Sequence, residues 1–152
     1  HAEEHRVCRE GVAVFDQTPS NPTEAAVRAA TAIYQAQACD GLIAVGGGSA
    51  IDCAKGVAIA ATHEGPLTHY ATIEGGSPRI TQRVAPLIAV PTTSGTGSEV
   101  SWVSVITVPE RRAKISVKGD GMYPREALVD ADLIAQDVAD GGALQFELHQ
   151  RV

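Results

Sequence analysis

Aromatic residues are scarce: Phe, Trp and Tyr make up 4% of the 152 residues, and there is a single Trp. Three cysteines, Cys8, Cys39 and Cys53, are an odd number without a CxxC pair. That removes a disulfide framework and a zinc knuckle, and it points to a reducing, cytoplasmic compartment. The longest apolar runs, 41–45 and 57–61, are far shorter than the roughly 20 residues of a membrane span. No secretory signal pattern opens the chain. Lys and Arg form no run, and the net charge of -6 argues against a nucleic acid or an anionic membrane as partner. A small molecule is left as the expected ligand.

What is present is globular. Hydrophobic residues account for 44% and charged residues for 20%, and the abundance of Ala, Val, Ile and Gly suits an α/β layer architecture. The length fits one domain with a core of its own. The chain opens on His1 rather than Met, and the expectation drawn from this is a fragment or a processed product.

Residues 11–16 are a short β-branched run bounded by turn residues and predict a buried strand. Asn21 is the expected N-cap, with Pro22 at the first helical position, of a helix over 23–37 that carries Ala26, Ala30, Ile33 and Tyr34 at helical spacing. Asp40-Gly41 should break it. A strand over 42–45 then runs through Gly46-Gly47-Gly48-Ser49 into a second helix over 50–61. Residues 62–83 predict a loop with one helical turn near 67–71, and 86–90 a third buried strand. Residues 102–108 and 113–117 flank a charged turn and predict an antiparallel hairpin. A last short strand is expected over 126–129, ended by Asp130 and Asp132. Residues 1–134 are assigned to one α/β domain, and 135–152 are left unassigned.

Two loops carry chemistry. A strand that runs into three glycines and a serine, then a helix, leaves backbone N–H groups and the positive end of a helix dipole beside an open space, where a diphosphate would sit. A Cβ there would hold the phosphate off the main chain. The same residues also suit an ordinary tight turn with Ser49 as N-cap. The spacing is neither GxGxxG nor the Walker pattern GxxxxGK[ST]. The second loop, 91–98, has five hydroxyls and two glycines, suited to a phosphate, a ribose or an amide, although Ser and Thr in turns commonly bond their own backbone. Both loops follow strands at their carboxyl ends, where open α/β sheets bind ligands.

Together and in this order the blocks closely resemble the iron-containing, or group III, alcohol dehydrogenases, whose superfamily includes glycerol dehydrogenase and dehydroquinate synthase. The resemblance covers roughly 11–133. It rests on Asn21-Pro22-Thr23, on 40–49 with Asp52 and Lys55, on 91–100, on Lys114 and Pro124, and on 129–133. It implies a Rossmann-like parallel sheet flanked by helices with an inserted β-hairpin, and an NAD or NADP cofactor. Gly47, Gly48 and Ser49 would hold its pyrophosphate, with Asp52 just behind. Thr92, Thr93, Thr96 and Ser101 would line its path, and Lys114 would reach the ribose near the nicotinamide; taken singly, Lys114 suits a solvated hairpin.

Relatives hold Fe2+ or Zn2+ through an Asp and three His in an all-helical domain that these residues lack, so no catalytic or metal residue is assigned. The segments 137–142 and 147–151 have no counterpart to the first of those ligands. The acidic residue that reads the adenosine ribose is likewise expected before this chain. His1 and His5 do not form HExxH, and His63, His69 and His149 are isolated, which suggests loop or exposed positions. The intact parent would exchange hydride between a small alcohol or aldehyde and the nicotinamide ring and could be a homo-oligomer; the chain by itself is expected to turn over little. Alternatives are a dinucleotide-binding fragment without catalysis, a dehydroquinate synthase-type or glycerol dehydrogenase-type relative, and a structural domain whose glycine loops are only turns.

Overall fold

In the computed structural model, residues 12–80, 83–140 and 146–150 are described, from 136 onward by their backbone. Strand β1 (Val12–Phe15) leads through a turn into helix α1 (Glu24–Ala36). The cap is Thr23, not Asn21: its Oγ1 accepts from the N–H of Ala26 at 3.2 Å. Pro22 cannot begin the helix, because its carbonyl accepts from Thr107 at 2.7 Å and so belongs to an extended bridge. The chain reverses after α1 at Ala38, whose φ of 50° is left-handed. Asp40-Gly41 therefore lies inside β2 (Cys39–Gly46) instead of breaking the helix.

Helix α2 (Gly48–Ala60) starts two residues before the expected position and is buried on all sides from Cys53 to Ile59, as its weakly amphipathic sequence demands. It packs on the sheet beneath it, against α1 at its side, and under the hairpin of β4 (Val103–Val108) and β5 (Ala113–Lys118). Between α2 and β3 (Leu87–Pro91) the chain makes three short 3₁₀ turns, at Leu67–Tyr70, Thr72–Glu74 and Ser77–Arg79. The first is the turn expected there.

Strand β6 (Glu126–Ala127) is shorter than its sequence suggests. Asp130 then caps helix α3 (Ala131–Asp140), its Oδ1 accepting from Asp132 N at 2.9 Å. The expectation that Asp130 and Asp132 merely end a strand is thereby corrected. Part of the stretch left unassigned by the sequence forms β7 (Phe146–Gln150).

The main sheet has the order β1-β7-β2-β3-β6. Strands β2, β3 and β6 pair in parallel, and β7 is antiparallel to both β1 and β2, so every strand but β7 runs the same way. Leu42, Ala44, Leu87 and Ala89 point into the core below the helices. The first strand is not buried as expected. Val12 and Val14 are about half exposed, at 50% and 51%, and only Phe15 is enclosed, because β1 lies at the sheet's edge. Among the described residues no helix is long and apolar enough to cross a membrane.

Candidate functional site

The parallel register of β2 and β3 sets Gly46 opposite Pro91. Both candidate loops therefore leave the sheet side by side at its carboxyl edge, and the N–H of Thr92 donates to Gly46 O at 3.1 Å. The loops touch further out. A Cβ on Gly47 would come within 3.0 Å of Thr93 Oγ1, and one on Gly48 within 3.3 Å of Thr96 Cβ. The sequence attributes these glycines to the approach of a phosphate; the structure adds that they also let the two loops close on each other.

At the start of α2 no side chain caps the turn. The helical ladder begins with Ile51 N donating to Gly47 O at 3.2 Å, so the amides of Gly48, Ser49 and Ala50 precede it. They carry the positive end of the helix dipole. Ser49 is not the cap: it sits in the first turn, and its hydroxyl donates to the carbonyl of Ser20. A cavity of about 240 Å³ opens here, lined by Asn21, Pro22, Gly48, Ser49, Asp52, Val105, Thr107 and Lys114. Four residues expected at the site thus meet in one cavity. Asn21 belongs there too, accepting through Oδ1 from Lys114 Nζ at 2.7 Å; its place in the Asn-Pro-Thr block was the only sequence signal. Thr107 and Val105 had none, since they reach the cavity through hairpin register.

Asp52 lines the cavity but has both carboxylate oxygens engaged. Oδ1 accepts from Ser98 Oγ at 2.5 Å and Oδ2 from Val105 N at 3.0 Å, while its own carbonyl accepts from Ser104 Oγ at 2.7 Å. One turn further on, Lys55 is fully buried. Its ammonium donates to Ser98 O at 2.7 Å, Ser98 Oγ at 3.1 Å and Val103 O at 2.9 Å, with Asp52 Oδ1 at 3.8 Å. Burial pulls the lysine pKa down to about 8, and the carboxylates of Asp52 and Glu99 oppose that pull.

The remaining expected residues are placed around the second loop. Thr92 is fully buried and its Oγ1 has no partner among the described residues. Thr93 faces Gly47, as above. Thr96 Oγ1 accepts from Ser98 N at 3.3 Å. Ser101 Oγ accepts from Val103 N at 3.1 Å, and Ser101 is not among the residues lining the cavity. His63 lies in the bend after α2, a loop position as expected, and is buried there: it shares a contact of 2.8 Å between Nδ1 and Thr62 Oγ1, and meets the Tyr70 ring edge-on. His69 is exposed on its 3₁₀ turn, and His1 and His5 lie outside the described residues. Among the described residues no three His, Cys, Asp or Glu side chains come together as metal ligands.

A mostly parallel sheet with helices packed on it, two glycine- and hydroxyl-rich loops at its carboxyl edge and a helix N-terminus between them is a Rossmann-like α/β domain. The chain belongs to the iron-containing alcohol dehydrogenase family, whose model matches residues 4–131. It is 62% identical over 122 residues to 4-hydroxybutyrate dehydrogenase of Cupriavidus necator, covering 80% of this chain and 32% of that protein. With 1,3-propanediol dehydrogenase of Klebsiella pneumoniae the identity is 44% over 106 residues, 70% of this chain and 26% of the relative. Among solved structures, a 1,3-propanediol oxidoreductase superposes with a TM-score of 0.73 at 38% identity, over 80% of this chain and 31% of the other. A sulfoacetaldehyde reductase of Bifidobacterium kashiwanohense, in complex with NAD+, gives 0.68 at 33% identity, over 78% and 31%. The chain spans about a third of the length of the curated relatives it matches.

Proposed function

We propose that this chain is the dinucleotide-binding part of a metal-dependent alcohol dehydrogenase and seats the diphosphate of NAD or NADP on the amides of residues 47–49. The observation that carries this reading is the uncapped start of α2, which opens on a cavity with the Lys114 ammonium at its wall. Those amides and that cation suit an anion. The cavity of about 240 Å³ has room for a diphosphate with part of a ribose and not for a whole dinucleotide, whose site would be larger. The similarity to a reductase solved with NAD+ supports the cofactor's class.

In this reading Gly47, Gly48 and Ser49 present their N–H groups to the diphosphate. Thr92, Thr93, Thr96 and Ser101 border the path towards the nicotinamide, and Lys114, positioned by Asn21, reaches a ribose hydroxyl or phosphate oxygen. Asp52 acts mainly by tying the helix to the loop and to β4. The bound nicotinamide supplies hydride exchange with a small alcohol or aldehyde. The described residues do not offer a ligand set for iron or zinc, so a metal would be held by residues outside them. Oligomerisation of an intact parent and a cytoplasmic location complete the proposal; the buried free thiols of Cys39 and Cys53 suit a reducing compartment.

Calorimetric titration of the chain with NAD, NADH and NADPH tests the binding claim, and saturable heats for at least one of them are the expected result. Absence of binding to all three would overturn it in favour of a domain whose glycine loops are turns. Assays with alcohols, cofactor and added Fe(II) or Zn(II) then separate a bare binding fragment from a catalytic chain. Binding without turnover is expected of these 152 residues.

A further inference from the structure

We infer that Lys55 is a positioning residue that clamps both ends of the segment 98–103, and so fixes where the hydroxyl-rich loop stands relative to the start of α2. The inference rests on the proposed cofactor site and deepens it. One ammonium reaches Ser98 O and Ser98 Oγ at one end of this segment and Val103 O at the other. Between these anchors the chain bows outward: Val100 and Trp102 are 66% and 38% exposed. Ser101, one of the residues expected along the cofactor path, sits in the bow with its hydroxyl turned back onto Val103 N.

The hydrogen bonds allow one arrangement of protons. The Ser98 hydroxyl donates to Asp52 Oδ1, so towards Lys55 it can only accept, as the two carbonyls do. Three acceptors require three donors, and among side chains an ammonium on a flexible stem is suited to supply them from one buried point. Glutamine at this position has two donors and a shorter reach, and methionine has none. Asp52 lines the cavity and is held by Ser98 in turn, so the clamp also sets the cavity's floor. A buried cation costs desolvation, and replacing it with an apolar side chain would be tolerated if filling space were its only task.

The test uses Trp102, the only tryptophan of the chain, which lies inside the bow and stacks on Tyr123. In the folded K55M variant, acrylamide quenching of Trp102 should rise about threefold and NADH should bind about tenfold more weakly, because charge-assisted hydrogen bonds at both anchors are lost. S98A keeps the two carbonyl acceptors and should change both readouts less. If folded K55M, by far-ultraviolet circular dichroism, matches the wild type in both readouts, the inference is overturned. Should K55M not fold, hydrogen exchange of the wild-type chain decides: amides 98–103 protected far beyond free-chain rates support the clamp, and free-chain exchange refutes it. If the wild type itself does not bind NADH, the cofactor reading fails, while Trp102 quenching still judges Lys55.

Discussion

Replacing Gly56 with alanine probes how tightly α2 is held against α1, and with it the position of the cavity, whose walls come from the turn before α1, the start of α2 and the hairpin. A Cβ at Gly56 would lie 2.9 Å from Val27 Cγ2, 3.4 Å from Val27 Cγ1 and 3.5 Å from Ile106 Cδ1. Val27 and Ile106 are buried to 1% and 0% exposure, and valine in a helix has essentially one rotamer. The neighbour cannot swing away, so the helices must separate by several tenths of an ångström. Alanine gains about 1 kcal/mol of helix propensity over glycine, and overpacking a filled core costs about 1–3 kcal/mol. At 2.9 Å the upper part of that range applies, which leaves a net loss of about 1–2 kcal/mol, or about 3–6 °C in Tm for a chain of this size. V27A alone should cost about 2 kcal/mol through the cavity it leaves. In the double variant the new methyl enters that space, so the two effects should fall short of additivity by about 1 kcal/mol or more. Urea unfolding followed by circular dichroism measures all four chains. If G56A were as stable as the wild type or more so, and additive with V27A, the close helix contact would be wrong.

Three further outcomes follow from the site. G48A should leave Tm nearly unchanged, since helix propensity offsets the 3.3 Å contact with Thr96, but should weaken NADH binding about tenfold by moving the loops apart; unchanged affinity in titrations would contradict the closed arrangement. K114A, at an exposed side chain, should reduce NADH affinity by about tenfold and flatten its salt dependence with no change in thermal melting. Unfolding free energy measured against pH should rise from about pH 8, pass through a broad maximum between about pH 9 and 10.5, and fall beyond it. Lys55 titrates near 8 in the fold against 10.5 when free, so its contribution grows as pH rises from about 8, where the unfolded chain binds more protons. The Cys53 thiol, raised by burial from 9.0 to about 12, withdraws stability above pH 9, where the unfolded thiol ionises first. K55M should lack the rising limb, and its presence there would reject the assignment.

The residues at 46–49 and 91–98 stand out as candidate ligand loops from local composition because backbone N–H groups, glycine and hydroxyls act through chemistry that does not depend on distant partners. The order of strands and helices as far as residue 129 was legible for the same reason: β-branched runs, the Ala-rich stretch and the turn residues are short-range signals. Boundaries were less so. Asn21 and Thr23 are both good caps, and only the hairpin, by taking the Pro22 carbonyl, decides between them.

Other features exist only in three dimensions. Lys55 reads as one more helical lysine until the fold buries it beneath Ser98 and Val103, more than forty residues away in the chain. Thr107 and Val105 join the cavity because the register sets Thr107 beside Lys114, and β7 enters the sheet by backbone pairing, which needs a neighbouring strand more than a particular side chain. The sequence by itself determined where free N–H groups gather at the end of a strand, the feature on which the proposed anion site rests, since they belong to the chain's own backbone. Which side chains surround it was decided by packing, because Cβ-free approach at Gly47 and Gly48 and the reach of Lys55 become meaningful only once α2 is pressed between the sheet and the hairpin.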